Sequence, residues 1–70
     1  VGGTLPCAFN AANEEAVNAF FDGKIKYLDI PYITAKTTEL CKNVAQPEIE
    51  DIEAADAEAR RIADEIISKL

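Results

Sequence analysis

A single apolar stripe at helical spacing, between Pro6 and Phe21, limits the folds open to this chain more than any other stretch. The apolar side chains recur at intervals of three, four, one and three residues, at Phe9, Ala12, Ala16, Val17 and Phe20. Residues at those intervals share one face of an α-helix, whereas a strand requires strict alternation. We therefore predict a helix that starts between Leu5 and Ala11 and stops at Asp22-Gly23, because glycine favours the position just past a helix end.

A second helix is predicted to open at Asp29, which can cap it, followed by Pro31, which fits a first helical turn. We expect this helix to stop at Asn43. Between the two helices, residues 24–28 alternate polar and apolar at first but have no second strand to pair with, and an unpaired buried strand leaves backbone groups unsatisfied. We therefore expect an extended connector. The apolar residues expected to lie across the helices are Ile25, Tyr27 and Leu28.

Residues 48–70 keep helical spacing to the end of the sequence. Their acidic start is typical of a helix N-terminus, because the helix dipole attracts negative charge. We expect a break in the middle, with a short helix at Glu48–Ala54 and a longer one from Ala57 that Asp56 caps. Asp56 and Arg60 are four residues apart and are expected to pair.

These segments predict an all-α fold: a small antiparallel helical bundle of three long helices plus one short helix, forming a single helical domain over residues 1–70. The core is predicted to draw on Phe9, Val17, Phe20, Ile33, Leu40, Ile52, Ile62 and Ile66. A domain of this size buries only roughly 60 % of its unfolded surface, so it needs good packing, self-association or a covalent neighbour. The sequence starts at Val1 with a predicted flexible stretch over residues 1–4, and it contains no Met. We therefore expect a piece of a longer protein.

Composition argues against several classes of function. The net charge of −6 argues against a nucleic-acid surface, which needs clustered Lys and Arg. No apolar run approaches the ~20 residues that span a bilayer. We therefore expect no nucleic-acid partner, no membrane partner and a cytoplasmic location.

Side chains that commonly act in catalysis or metal binding are scarce in this sequence. It has no His, the commonest general base and metal ligand, and Ser68 is its only serine. We therefore expect no catalytic, cofactor-binding or metal-binding residue in this chain. Cys7 and Cys41 leave three interpretations open: buried free thiols in a reducing cytoplasm, a bridge between two helices, or metal binding.

The candidate site is a polar group on the first helix, formed by Asn10, Asn13 and Glu14. Asn10 and Asn13 are three residues apart, so they lie on one face if both are helical. Asn is a mediocre helix former, so two in one helix need a reason. Three roles remain open: capping of the helix start, a polar patch that hydrogen-bonds a neighbouring domain or loop, and contact with a substrate.

Short elements along the whole chain carry a family resemblance. The most specific is the run Asn10-Ala11-Ala12-Asn13-Glu14. The other elements are Gly2-Gly3-Thr4, Ala16-Val17, Ala19-Phe20, Gly23-Lys24-Ile25, Leu28-Asp29-Ile30, Glu50-Asp51-Ile52, Ala54-Ala55-Asp56-Ala57 and Ala59-Arg60. Together they resemble the C-terminal helical domain of the 1-deoxy-D-xylulose 5-phosphate reductoisomerase family.

The resemblance implies a parent enzyme that uses NADPH and a divalent metal, magnesium or manganese. That enzyme converts 1-deoxy-D-xylulose 5-phosphate into 2-C-methyl-D-erythritol 4-phosphate in the non-mevalonate isoprenoid pathway. The resemblance also implies that the cofactor-binding and catalytic domains precede this segment, which is a non-catalytic structural domain. Asn10, Asn13 and Glu14 are then expected to dock the first helix against the catalytic domain. The alternative function is an independent helical protein-interaction module, dimeric when isolated.

Overall fold

The computed structural model describes residues 3–70, so part of the predicted flexible stretch, Val1-Gly2, lies outside the described residues. Three helices are present: α1 at Leu5–Phe21, α2 at Asp29–Leu40 and α3 at Ile49–Ser68. No strand occurs between residues 3 and 70. The predicted all-α fold is confirmed, although this part of the chain contains three helices rather than four.

Helices α1 and α3 run parallel to each other. Cys7 Sγ lies 3.7 Å from the carbonyl oxygen of Ile52, near the start of both α1 and α3. Further along the same helices, Glu15 Oε2 lies 2.8 Å from Arg60 Nη1. Each pair is separated by 45 residues, and a constant offset is the register of parallel helices. The short connections then place α2 antiparallel to both.

The buried face of α1 is formed by alanines and not by phenylalanines. Five alanines are at most 5 % exposed: Ala8, Ala11, Ala12, Ala16 and Ala19. Phe9 is 53 % exposed, so its predicted place in the core is wrong. Because α1 contacts both other helices, its small side chains let the backbones approach closely, and a bulky ring is excluded from that face.

The connection between α1 and α2 is a compact turn. Gly23 has φ +77° and closes α1, with Gly23 N–H donating to Phe20 O (3.0 Å) and Lys24 N–H to Ala19 O (2.9 Å). These two bonds form a Schellman motif, and the predicted stop is confirmed. Ile25 is buried as expected, but Tyr27 and Leu28 are exposed. The extended connector was wrong, because the turn is too tight to carry all three side chains across the helices.

α2 buries its Ile33 and two threonines, Thr34 and Thr37. It starts at Asp29, whose Oδ2 accepts a hydrogen bond from Lys26 N–H at 2.9 Å instead of capping its own helix. The helix ends at Leu40, three residues before the predicted stop. Leu40 is exposed, so its predicted place in the core is wrong, because the next residue, Cys41, is the one that packs against α1 and α3 at this end of α2.

α3 is one continuous helix, and the predicted break at Asp56 is wrong. Glu48 and Asp51 form a capping box at its start, with Glu48 N–H donating to Asp51 Oδ2 at 3.0 Å. Asp56 lies within the helix and binds Arg60, one turn later, at 2.9 Å. Alanines have the highest helix propensity and surround Asp56, so nothing interrupts the backbone. The predicted core position Ile52 is 42 % exposed.

The centre of the bundle is formed by Ile25 and Ile33, which pack against Ala12, Ala16 and Ala19 of α1 and Ala63 of α3. Ile33 and Ile62 are buried as predicted. Val17, Phe20 and Ile66 are half-buried at the margin of the core. Apart from Ile25, Ile33 and Ile62, every buried apolar side chain among the described residues is an alanine.

Candidate functional site

The three candidate residues of α1 point toward different neighbours. Asn10 is exposed and Asn13 is half-buried, and Asn13 lines a groove shared with α2. Glu14 instead reaches α3, where its Oε1 lies 2.8 Å from Arg60 Nη2. The polar group seen in the sequence is therefore divided: Asn13 lies at the seam with α2, Glu14 lies at the seam with α3, and Asn10 is exposed.

Arg60 of α3 binds three carboxylates, two of which lie on α1, in an arrangement called the Arg60 clamp below. Its guanidinium meets Glu14 and Glu15 on α1, each at 2.8 Å, and Asp56 on its own helix at 2.9 Å. The planar fork of an arginine has five N–H donors and can serve several carboxylates at once. The predicted Asp56–Arg60 pair is confirmed.

The Arg60 clamp is a structural tie and not an acid–base centre. Hydrogen bonds from the guanidinium to Asp56 first, and then to Glu15 and Glu14, raise the pKa of Arg60 above its usual range. Arg60 is therefore a permanent cation that cannot transfer a proton. The sequence analysis missed its cross-helix partners because spacing rules report pairs within one helix only; the adjacent glutamates Glu14 and Glu15 were the available signal.

A second acidic group lies beside the clamp, in a depression lined by Glu15, Lys24, Asp64 and Ser68. Partial removal from water, followed by the neighbouring Glu15 carboxylate, raises the pKa of Asp64. The Ser68 hydroxyl donates to the Glu65 carbonyl oxygen at 2.7 Å. These groups do not form a nucleophile–base pair, because the serine proton is held by the backbone.

An uncharged groove, the Phe9 groove, runs along the seam between α1 and α2. Its volume is about 250 Å³, and its lining residues are Phe9, Asn13, Ile30, Pro31, Thr34 and Ala35. Half of the Phe9 ring is exposed there. The sequence analysis placed Phe9 in the core and therefore missed this surface.

The start of α1 is held by the loop that follows α2, in what we call the N-terminal clasp. Asn43 Oδ1 accepts hydrogen bonds from Thr4 N–H (2.9 Å) and Leu5 N–H (3.2 Å). The buried Thr4 hydroxyl accepts from Val44 N–H at 2.9 Å and donates to Lys42 O at 3.3 Å. Asn43, predicted as the stop of α2, thus caps α1 from nearly forty residues away.

Both cysteines are free and half-buried. Cys7 donates weakly to the Ile52 carbonyl oxygen, and Cys41 packs against a small cluster of alanines. Burial, and then the negative charge of Glu58, raise the pKa of the Cys41 thiol, which Arg61 opposes. A raised pKa disfavours the reactive thiolate, so Cys41 behaves as a packing residue.

The residues present do not fit a metal ion or a dinucleotide. In the described part of the chain, no group of three or more His, Cys, Asp or Glu side chains is arranged so that it could hold a metal ion. The densest set of carboxylates, Glu14, Glu15 and Asp56, already surrounds the cation of Arg60. A dinucleotide site needs a glycine-rich turn between a strand and a helix, and residues 3–70 contain no strand.

These features define a class of protein: a small helical domain whose charged side chains tie its own helices together. Within residues 3–70, no helix is both long enough and apolar enough to cross a membrane. The chain belongs to the family described as the DXP reductoisomerase C-terminal domain, which matches residues 1–62. The resemblance noted in the sequence is thereby confirmed.

Individual relatives support the same assignment. The 1-deoxy-D-xylulose 5-phosphate reductoisomerase of Synechococcus sp. is 50 % identical over 60 residues, which cover 86 % of this chain and 15 % of the relative. The enzyme of the same name from Bacteroides thetaiotaomicron is 48 % identical over 66 residues, which cover 94 % of this chain and 17 % of the relative. That from Heliobacterium modesticaldum is 44 % identical over 68 residues, covering 97 % and 17 %. The chain therefore spans about one-sixth of the length of these curated relatives.

Proposed function

We propose that this chain is the non-catalytic, C-terminal structural domain of a 1-deoxy-D-xylulose 5-phosphate reductoisomerase. The parent enzyme makes 2-C-methyl-D-erythritol 4-phosphate from 1-deoxy-D-xylulose 5-phosphate in the non-mevalonate isoprenoid pathway. The observation that carries the proposal is the family match over residues 1–62. It is supported by relatives that bear the reductoisomerase name and of which this chain is a small part.

The chemistry of the parent belongs to the rest of its chain. NADPH and a divalent metal, magnesium or manganese, are bound there by the cofactor-binding and catalytic domains. In support, the carboxylates of the Arg60 clamp are already paired with a guanidinium. The contribution of this domain is a rigid helical body attached to the catalytic domain of the same chain.

The partner of this domain is that catalytic domain, and Asn10, Asn13 and Glu14 contribute to the contact. Asn10 is exposed and Asn13 half-exposed, so their carboxamides are available to donate and accept hydrogen bonds. The Glu14 side chain is 58 % exposed, and Oε1 is the oxygen that meets Arg60. Isolated from its partner, the domain is free to self-associate through exposed apolar side chains such as Phe9 and Leu28, although the like charge of two copies opposes that association.

We also place the parent enzyme in the cytoplasm. Cys7 and Cys41 are unpaired thiols in this structure. Thiols persist in the reducing cytoplasm, whereas oxidising compartments favour disulfides.

The test uses the full-length parent enzyme with Asn13→Ala, matched by Asn18→Ala as an exposed asparagine on the same helix. If Asn13 docks the domain, its replacement lowers the free energy of unfolding by about 1 kcal/mol, the value of a typical hydrogen bond. Asn18→Ala stays within about 0.5 kcal/mol of the wild type. The docking role is wrong if Asn13→Ala leaves both stability and the rate of NADPH oxidation unchanged. NADPH oxidation by residues 1–70 alone would contradict the non-catalytic role.

A further inference from the structure

We propose that the Phe9 groove receives an apolar side chain from the catalytic domain of the same parent chain. This deepens the proposed function and rests on it, because the catalytic domain is taken as the partner. The inference assigns an apolar anchor point to a contact that the sequence described only through polar residues. Phe9 forms one wall of the groove, and Ala35 lies on the other side, on α2.

The Phe9 groove differs in charge from its surroundings. None of the six residues that line the Phe9 groove is charged, although the chain carries a net charge of −6. Two other depressions on the surface each contain three charged residues: Lys42, Asp51 and Glu58 in one, and Glu15, Lys24 and Asp64 in the other. An uncharged concave surface on an acidic domain favours an apolar occupant, which loses little on leaving water there.

The polar groups along the α2 wall of the groove already have hydrogen-bond partners within the helix. The Thr34 hydroxyl donates to Ile30 O at 2.9 Å, and the Thr38 hydroxyl donates to Thr34 O at 2.8 Å. Neither proton is left for a ligand. Asn13 therefore supplies the carboxamide of this groove, which suits a single backbone or side-chain contact beside an apolar anchor.

Size decides between a small molecule and a protein side chain. Pockets for small-molecule ligands typically have volumes of about 300–1,000 Å³ and bury most of the ligand. The Phe9 groove is about 250 Å³ and leaves Phe9 53 % exposed. It is therefore suited to one anchoring side chain of a neighbouring protein surface rather than to a cofactor.

The length of the relatives and the net charge of this chain favour one occupant of the groove. In the relatives, about five-sixths of the polypeptide lies outside the matched stretch, so a covalently attached surface is present at high effective concentration. A second copy of this domain carries the same net charge of −6, and like charges oppose that association. The attached catalytic domain is the occupant that both observations favour.

The test places one cysteine on the groove and one on a distant face of the full-length enzyme. Ala35→Cys lies in the groove and Ala57→Cys lies on α3, and both alanines are exposed in this structure. The rate of alkylation at each site is measured by peptide mass spectrometry and divided by its rate in urea-unfolded enzyme. We expect at least tenfold slower relative alkylation at Ala35→Cys than at Ala57→Cys.

Two phenylalanines on α1 provide a matched pair for the second arm. In the Ala35→Cys enzyme, Phe9→Ala is expected to restore fast alkylation, because it removes a wall of the groove. Phe21→Ala is expected to leave the protection unchanged, although Phe21 is the more exposed ring at 78 %. Equal effects of the two replacements would contradict a specific role for the groove.

The outcomes separate this inference from the proposed function. Protection of Ala57→Cys with fast alkylation of Ala35→Cys would overturn the groove but keep a docked domain. Fast alkylation at both positions would overturn the groove contact, and the unfolding of the Asn13→Ala enzyme would then decide whether the domain is docked through its polar residues. Protection of Ala35→Cys that disappears on dilution, together with a dimer-to-monomer change in sedimentation, would identify a second copy as the occupant and overturn our assignment.

Discussion

Replacing Asn43 by alanine should destabilise this domain more than any other single change of an exposed side chain. Asn43 is exposed in the loop after α2, yet its Oδ1 accepts the N–H groups of Thr4 and Leu5 at 2.9 and 3.2 Å. The N-terminus of a helix leaves its first N–H groups without partners inside the helix. Asn43→Ala returns both donors to water and releases the start of α1 from the loop.

The magnitude follows from the two lost bonds. Removal of a capping side chain costs about 0.5–2 kcal/mol, and two donors share this one, so we expect a loss of about 1–2 kcal/mol. Proteins have stabilities of roughly 0.05–0.15 kcal/mol per residue, so the loss is a sizeable part of the total here. For a domain of this size, each kcal/mol shifts Tm by about 4–8 °C. We therefore expect Tm to fall by about 5–15 °C.

Thermal and urea unfolding followed by circular dichroism measure the effect. Asn43→Asp keeps an acceptor oxygen near the helix start and should retain most of the stability. Asn10→Ala, on the exposed face of α1, should be neutral or slightly stabilising because alanine is the better helix former. A loss below about 0.3 kcal/mol for Asn43→Ala would refute the reasoning, since it would mean that water replaces the clasp without cost.

Gly3 provides an independent check on the same geometry. It has φ +88°, and a Cβ added there would collide with the Asn43 side chain. Gly3→Ala is therefore expected to cost at least about 1–2 kcal/mol, the penalty of a left-handed backbone for an L-residue. In an Asn43→Ala background the cost should fall, because the collision is gone while the φ strain remains. Additive effects in this double-mutant cycle would contradict a direct contact.

Three further changes test other parts of the structure. Thr37→Val removes a buried hydroxyl that has no hydrogen-bond partner among the described residues. It should therefore stabilise the domain by about 1 kcal/mol in urea unfolding. A loss of stability would show that the hydroxyl has a hydrogen-bond partner. Arg60→Ala leaves three partly exposed carboxylates unpaired. It should lower the free energy of unfolding by about 1–2 kcal/mol at low salt and by less in 1 M NaCl. A loss of stability that salt does not change would indicate lost packing instead of lost ion pairs. Asp64 has a raised pKa in the folded state, so its ionised form is less favourable in the folded domain than in the unfolded chain. The free energy of unfolding therefore decreases as pH rises above about 4, the ordinary pKa of an aspartate. Asp64→Asn should therefore raise Tm at pH 7, and that advantage should vanish below about pH 3; a constant advantage across this range would refute the assignment.

The helices were predictable because their signals are local. Gly23 closes α1 where the sequence placed the stop, and Asp29 begins α2. The break predicted at Asp56 failed because a capping residue and a helix-interior residue look alike in sequence. The pair with Arg60 does not separate the two cases, because it was expected from the spacing and forms here from within the helix. Local propensity then favoured continuation through the alanines.

The candidate site was only partly predictable. Asn10, Asn13 and Glu14 were singled out from the sequence, but their division between two seams depends on how α2 and α3 pack around α1. The partners of Glu14 and Glu15 lie some 45 residues away on α3, beyond any spacing rule. Asn43 was taken for a helix stop, because nothing local indicates that its carboxamide caps a different helix.

The sequence by itself determined the helical class, the approximate helix bounds and the family, because periodicity, capping signals and residue identity are properties of short segments. Only the tertiary structure decided which face of α1 is buried. Three backbones approach most closely where side chains are smallest, so the alanines took the interior and Phe9 was left beside the groove. Burial is a property of the assembled bundle, whereas hydrophobicity is a property of a residue, and in this domain the two rank the same side chains differently.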